Sequence, residues 1–306
     1  MKSLYYEEVE RFVLFPVIHH SYEFSLAARK LFEQIKPGAV AIEYPSVLHD
    51  LILRGIQRLP RVSIILYGQP RQYIRIEPVD PFIELARLAL EYQIPVQSID
   101  LYLPDYPEIL EPVPDTYAIQ NIGHERYCKE LLRHLPETRV EEDERRESAM
   151  AFHLQELQKK VKGSKKILVA CGLSHLKGLR EVLLSSAPQP FEQKPPAKLY
   201  HLSAASLGEI MGTFPFLSSV YELQRNGPVP APPEINTSAE VKTKPLVLYK
   251  GAKTSSVDEF AKRAHQKTAS AVADGDRNEI LARYVQECRL YYEQEIGDQL
   301  SPQQMV

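Results

Sequence analysis

The 306-residue chain carries 37 Lys and Arg against 40 Asp and Glu, a formal charge of −3, with 44% hydrophobic and 25% charged residues. That composition belongs to a globular protein with a substantial core, and the near-balance of charge excludes a chain-wide basic footprint for nucleic acid or an anionic membrane. No apolar run approaches the ~20 residues of a bilayer span, and no signal-peptide core follows Met1. Cys128, Cys171 and Cys288 lack Cys-x-x-Cys spacing, so neither a disulfide framework nor a zinc knuckle is encoded, and a cytoplasmic location is expected.

Residues 12–18 form a continuous apolar run, as in a strand buried on both faces. Residues 25–35 follow with helical spacing at Leu26, Leu31 and Ile35, until Lys36-Pro37-Gly38 breaks the pattern. Residues 39–42 read as a second strand, 47–59 as a helix, 62–67 as a third strand, 81–92 as a helix and 96–99 as a fourth strand. Strands separated by helices predict right-handed βαβ units, so the fold class is α/β with a mainly parallel central sheet flanked by helices. A long Pro-interrupted loop over 103–114 leads into amphipathic helices at 115–135 and 141–161. A fifth strand at 166–171, a helix to 184, a strand at 199–202 and a helix at 204–211 complete the pattern.

Ten of the 24 prolines fall between 188 and 245. The expected organisation is an α/β domain over 1–225, a Pro-rich linker over 226–255 and a helical extension over 256–306. The apolar face of that extension, with Ile280, Leu281, Tyr284 and Tyr291, needs a partner. Ser301-Pro302-Gln303-Gln304-Met305-Val306 reads as the opening of a helix, so the chain is expected to continue beyond it.

Open parallel sheets bind ligands beyond the carboxyl ends of their strands, which makes the strand-end residues the candidates. These are His19 and His20 after the first strand, Glu43 and Tyr44 after the second, Tyr67 and Gly68 after the third, Asp100 after the fourth and His175 after the fifth. Each also has a packing explanation. His19 and His20 can be one capping and one exposed imidazole, Glu43 can accept from the amides of the helix near Ser46, Asp100 can brace a turn, and His175 can donate at a helix start. A packing account does not call for all of them at one sheet edge. Acids open the helix at 141, and Arg146, sharing a face with Met150, would be an anion clamp aimed at that edge. Cys171, inside a strand, is a poor nucleophile. The sequence holds no P-loop, Rossmann glycine fingerprint, nucleophile elbow or H-E-x-x-H.

The run Phe15-Pro16-Val17-Ile18-His19-His20, followed by Gly38-Ala39-Val40-Ala41-Ile42-Glu43-Tyr44-Pro45, resembles the opening of the TraB/TIKI superfamily, which includes relatives of ChaN and of erythromycin esterase. Ile94 to Asp100, Arg146-Glu147-Ser148-Ala149-Met150-Ala151, Cys171-Gly172-Leu173-Ser174-His175 and the segment 199–221 extend the resemblance over residues 12–223, most closely to an uncharacterised bacterial branch. The family's first G-x-x-H has glycine where this chain has Pro16, while His19 matches.

The resemblance implies an α/β fold of the erythromycin esterase and ChaN type. It implies a hydrolase of amide or ester bonds in which His19, Glu43 and His175 hold a divalent metal cation or activate a water. Arg146 would stabilise the oxyanion, with His20, Asp100 and Glu147 in support. A small-molecule or peptide substrate is expected, and neither nucleic acid nor membrane. The alternative is a non-catalytic module that binds a small ligand or haem in the same pocket and docks a protein partner or a second copy through its C-terminal helices.

Overall fold

The structure is a computed structural model that describes residues 3–104, 113–135 and 140–202, with parts of 206–226 and 264–296. Strands β1 (Glu7–Val9) and β2 (Phe12–Val17), helix α1 (Tyr22–Ile35), strand β3 (Ala39–Pro45), helix α2 (His49–Ile56), strands β4 (Ser63–Tyr67) and β5 (Gln72–Ile76), helix α3 (Pro81–Glu91) and strand β6 (Val96–Asp100) follow in chain order. Helices α4 (Ala118–Ile122), α5 (His124–His134) and α6 (Glu141–Lys160), strand β7 (Ile167–Gly172), helix α7 (Leu176–Val182) and strand β8 (Ala197–His201) complete the α/β unit.

Five strands make the main sheet in the order β1-β2-β7-β3-β6, parallel except for the antiparallel edge strand β1. Side chains alternate across it with the period of two that extended chain imposes. Val13, Phe15, Val17, Val40, Ile42, Tyr44, Leu168 and Ala170 pack on one face with Phe24 and Leu31 of α1, Ile52 of α2, Phe82 and Leu85 of α3 and Tyr127 of α5. Leu14, Ala39, Ala41, Ile167, Val169 and Cys171 pack on the other with Met150 and Leu154 of α6 and Leu176 and Leu179 of α7. Both faces are therefore covered, as a parallel sheet requires.

The mainly parallel α/β core matches the sequence reading, with one correction: residues 63–67 do not join it. β4 pairs antiparallel with β5 on one side and β8 on the other, in a separate three-stranded sheet. Only residues 68–71 separate β4 from β5, enough for a hairpin and far too few for a parallel crossover. Gly68 makes the turn at φ +75°, where an added Cβ would lie 2.9 Å from the Tyr102 hydroxyl. Tyr67 and Gly68 thus leave the strand-end group.

The helix expected over 115–135 is two helices, because Gly123 at φ 85° closes α4 before α5 begins. Helix α1 starts earlier than its apolar spacing, since the Ser21 hydroxyl accepts from the Phe24 amide as an N-cap. Pro16 stands within β2 opposite Cys171, but β1 reaches no further than Leu14, so β2 has a single neighbour at the position where proline lacks its N–H.

The chain divides into two compact units, Met1–Thr213 and Phe214–Val306. The helix Pro215–Asn226, which the sequence reading attaches to the first domain, belongs to the second, where it contacts the helix Arg277–Ile296. Ile280 is buried there, and Leu281 and Tyr284 are half-buried. The middle of the 103–114 loop, half of the helix expected at 204–211, the linker from 227 to 255 and the segment from Ser301 lie outside the described residues. No described helix is long and apolar enough to cross a membrane.

One core histidine gives a test of the packing. His124 is fully buried, stacks on Phe15 at 5.3 Å, meets Phe24 edge-on at 4.9 Å and accepts from the Tyr5 amide at Nδ1. Burial pulls its pKa from 6.5 down to about 4. The unfolded chain then binds this proton more tightly than the folded one, so its contribution is intact above pH 6.5 and about 3 kcal/mol is lost by pH 4. Urea unfolding at pH 7 and pH 4 is expected to show that loss, and His124→Phe, which keeps a ring in the stack, is expected to remove most of it.

Candidate functional site

The C-terminal edge of the main sheet carries two polar clusters, one on each face. On the α6 face, the β3–β6 register shifts between Ile42 and Pro45, an irregularity of the kind that re-aims side chains, and Glu43 lies within it. The Glu43 Oε2 accepts from the Gly172 amide at 2.5 Å and Oε1 accepts from Arg146 Nη2 at 2.8 Å. Arg146 also donates to both oxygens of Asp100, each at 2.9 Å, in the bidentate fork its planar guanidinium favours. His175 completes the group. Its Nε2 is 3.5 Å from Glu43 and its Nδ1 is 3.3 Å from the fully buried Glu147. Asp143, a first-turn acid of α6, lies 3.8 Å from Arg146 Nη1.

This cluster is almost dry, with Asp100 and His175 each 2% exposed. Burial alone would raise the Glu43 carboxyl, but His175, Arg146 and the Gly172 amide outweigh it, and the net shift is downward. Asp100 moves the other way: burial, with the like charge of Glu43, outweighs its two bonds from Arg146. The Cys171 thiol beside them is pushed well above its ordinary value, chiefly by burial, which removes it as a nucleophile.

On the α3 face, Asp80 is the N-cap of α3, its Oδ1 accepting from the Phe82 and Ile83 amides ahead of Pro81. Its Oδ2 faces His19 Nδ1 at 3.2 Å and accepts from the His20 amide at 3.1 Å. The His19 ring packs on Phe82 at 4.4 Å and near Tyr44 at 5.7 Å, yet its side chain is 46% exposed. Withdrawal from water lowers the His19 pKa, but the hydrogen bond and charge of Asp80, with the charge of Glu43, outweigh it and the net shift is upward. Burial would raise the Asp80 carboxyl, but His19 and His20 hold it well below the usual carboxylate range. His20 stands at φ 56°, a conformation costly for a residue with a Cβ. Its Nδ1 is 2.7 Å from the buried Glu77.

The structure therefore places Glu43, Asp100, Arg146, Glu147 and His175 in one network and His19 with His20 in another, where the sequence reading expected His19, Glu43 and His175 to share a single site. The sequence reading missed Asp80 and Glu77. Asp80-Pro81 is a legible helix start, but nothing local announces that its second oxygen serves imidazoles sixty residues earlier.

A cation does not fit the set His19, Glu43 and His175. Both Glu43 oxygens already accept N–H bonds, and an ion on Oε1 would face the Arg146 guanidinium bonded to that atom. Arg146 in turn is no open oxyanion clamp, because Nε and Nη2 are given to carboxylates. Among the described residues, the His/Cys/Asp/Glu group whose ligand atoms all lie within 4.8 Å of one another is His19, His20 and Asp80. No protein-family model, curated protein or solved structure matches this chain.

Proposed function

We propose that the protein is a hydrolase of amide or ester bonds in which His19, oriented by Asp80, takes the proton from the attacking water. The observation that carries this reading is the pairing of a half-exposed imidazole with a fully buried carboxylate at the carboxyl edge of a parallel sheet. An anionic acceptor at Nδ1 keeps the proton on that nitrogen, which leaves the lone pair on Nε2 for a water. The imidazolium formed when the water gives up its proton is stabilised by Asp80 and Glu43, the charges that already favour the protonated ring. That proton is then available to the leaving amine or alkoxide. The Glu43–Arg146–Asp100 network supports the reading as a brace: it ties β3, β6 and α6 together beneath the reacting edge and fixes the charge of Glu43.

The test is hydrolysis itself. Purified protein is incubated with a panel of activated esters and anilides, and acid release is compared with that of His19→Gln. Release well above that control supports the reading, and equal release in both overturns it.

A further inference from the structure

We propose that His19, His20 and Asp80 also form a site for one divalent transition-metal cation of the class that imidazole and carboxylate share, such as Zn²⁺ or Co²⁺. The site is separate from Glu43 and His175. Its ligand atoms all lie within 4.8 Å of one another. Asp80 Oδ2 lies 3.2 Å from His19 Nδ1 and 3.4 Å from His20 Nδ1. Two ligand atoms each ~2.0–2.2 Å from a tetrahedral ion stand about 3.3–3.5 Å apart. Asp80 is fixed for the purpose: Oδ1 is held by the α3 amides, and Oδ2, which accepts one bond from the His20 amide, has a second lone pair for the imidazole side and no guanidinium bonded to it; outer contacts of this kind orient metal ligands.

A second observation comes from Glu77, which is 1% exposed. Its Oε1 lies 2.7 Å from His20 Nδ1 and 2.9 Å from Arg75 Nε, yet none of these three buried atoms makes a hydrogen bond of acceptable geometry. A buried nitrogen and a buried carboxylate oxygen drawn together without an aligned proton are poorly satisfied as they stand. A cation taking the His20 Nδ1 lone pair would satisfy that nitrogen, leaving Glu77 and Arg75 as the outer pair. Arg75 makes Glu77 itself a poor ligand, as Arg146 does for Glu43. Two imidazoles and one carboxylate leave a fourth position open.

Occupancy has a consequence that rests on the hydrolase reading. A cation on His19 Nδ1 moves the ring proton to Nε2, the atom that is to accept from water. Cation and general base then exclude each other, and loading the site switches hydrolysis off.

The experiment uses chelator-treated full-length protein titrated with Co²⁺, whose visible spectrum reports a low-coordinate nitrogen and oxygen site. One equivalent is expected to bind, to be displaced by Zn²⁺, and to bind at least about tenfold more weakly in His20→Asn. Asparagine tolerates the left-handed backbone at that position. Glu43→Gln is expected to leave the spectrum unchanged. The site is overturned by absence of binding, by binding indifferent to His20→Asn, or by binding that depends on Glu43. Inhibition of hydrolysis by one equivalent of Zn²⁺ supports the switch. Binding at the His20-dependent site with increased hydrolysis keeps the site and overturns the general-base reading, so the two failures are distinguishable.

Discussion

Arg146→Met is expected to cost about 3–5 kcal/mol of stability at pH 7, because it removes the shared cation from two buried carboxylates. Methionine keeps much of the side chain's volume, so the loss is electrostatic: Glu43 keeps one bond, to the Gly172 amide, and Asp100 loses both of its bonds from the guanidinium. The deficit has a pH signature. Without the arginine Asp100 rises further and Glu43 loses one of the charges that lower it, so the variant's folded state takes up protons more readily than that of wild type and the deficit shrinks as pH falls. Urea unfolding at pH 7 and pH 5 reads this directly. Combining Arg146→Met with Glu43→Gln and Asp100→Asn is expected to recover most of the loss, since removing a whole buried ionic group costs far less than breaking it. A single variant as stable as wild type would show that the network does not brace the sheet edge.

The second large effect falls on turnover. Asp80→Asn keeps the helix start, because asparagine caps as well as aspartate and its oxygen can still accept from the Phe82 and Ile83 amides. The amide nitrogen then takes the place of Oδ2, where it faces the His20 N–H and His19 Nδ1. Two donors now meet at His20, costing about 1–3 kcal/mol. His19 is driven to the opposite tautomer, with its proton on Nε2, and turnover is expected to fall by about 10²–10⁴-fold. Asp80 positions the base without touching substrate, so the loss should appear in kcat with KM little changed. A matching loss in KM alone would assign Asp80 to substrate binding instead.

Much of this was legible in the chain. Short apolar runs at 12–18, 39–42 and 166–171 are central parallel strands, and their ends do carry His19, Glu43 and His175. Convergence at an edge, however, is not possession of a shared face. Tyr44 packs with Phe82 on the α3 side, while its neighbour Glu43 meets Arg146 on the α6 side, as alternation along β3 dictates. His19, in the turn after β2, meets Asp80 on the α3 side, while His175, in the turn after β7, meets Glu43 and Glu147 on the α6 side. Strand β5 escaped notice because Gln72-Tyr73-Ile74-Arg75-Ile76 is short and does not alternate, with Ile74, Arg75 and Ile76 all buried, and its partner is fixed by the hairpin at Gly68. The pairing of Asp80 with the two imidazoles is a product of tertiary packing, invisible to any local pattern.

Hydrolysis by metal-free protein tests the central claim most directly. After exhaustive chelation, the wild-type chain is expected to hydrolyse the ester or anilide it turns over at its full rate, and His19→Gln to lower that rate by about 10²–10⁴-fold at a temperature where the variant is shown to be folded. Activity lost on chelation and restored by Zn²⁺ would contradict the account.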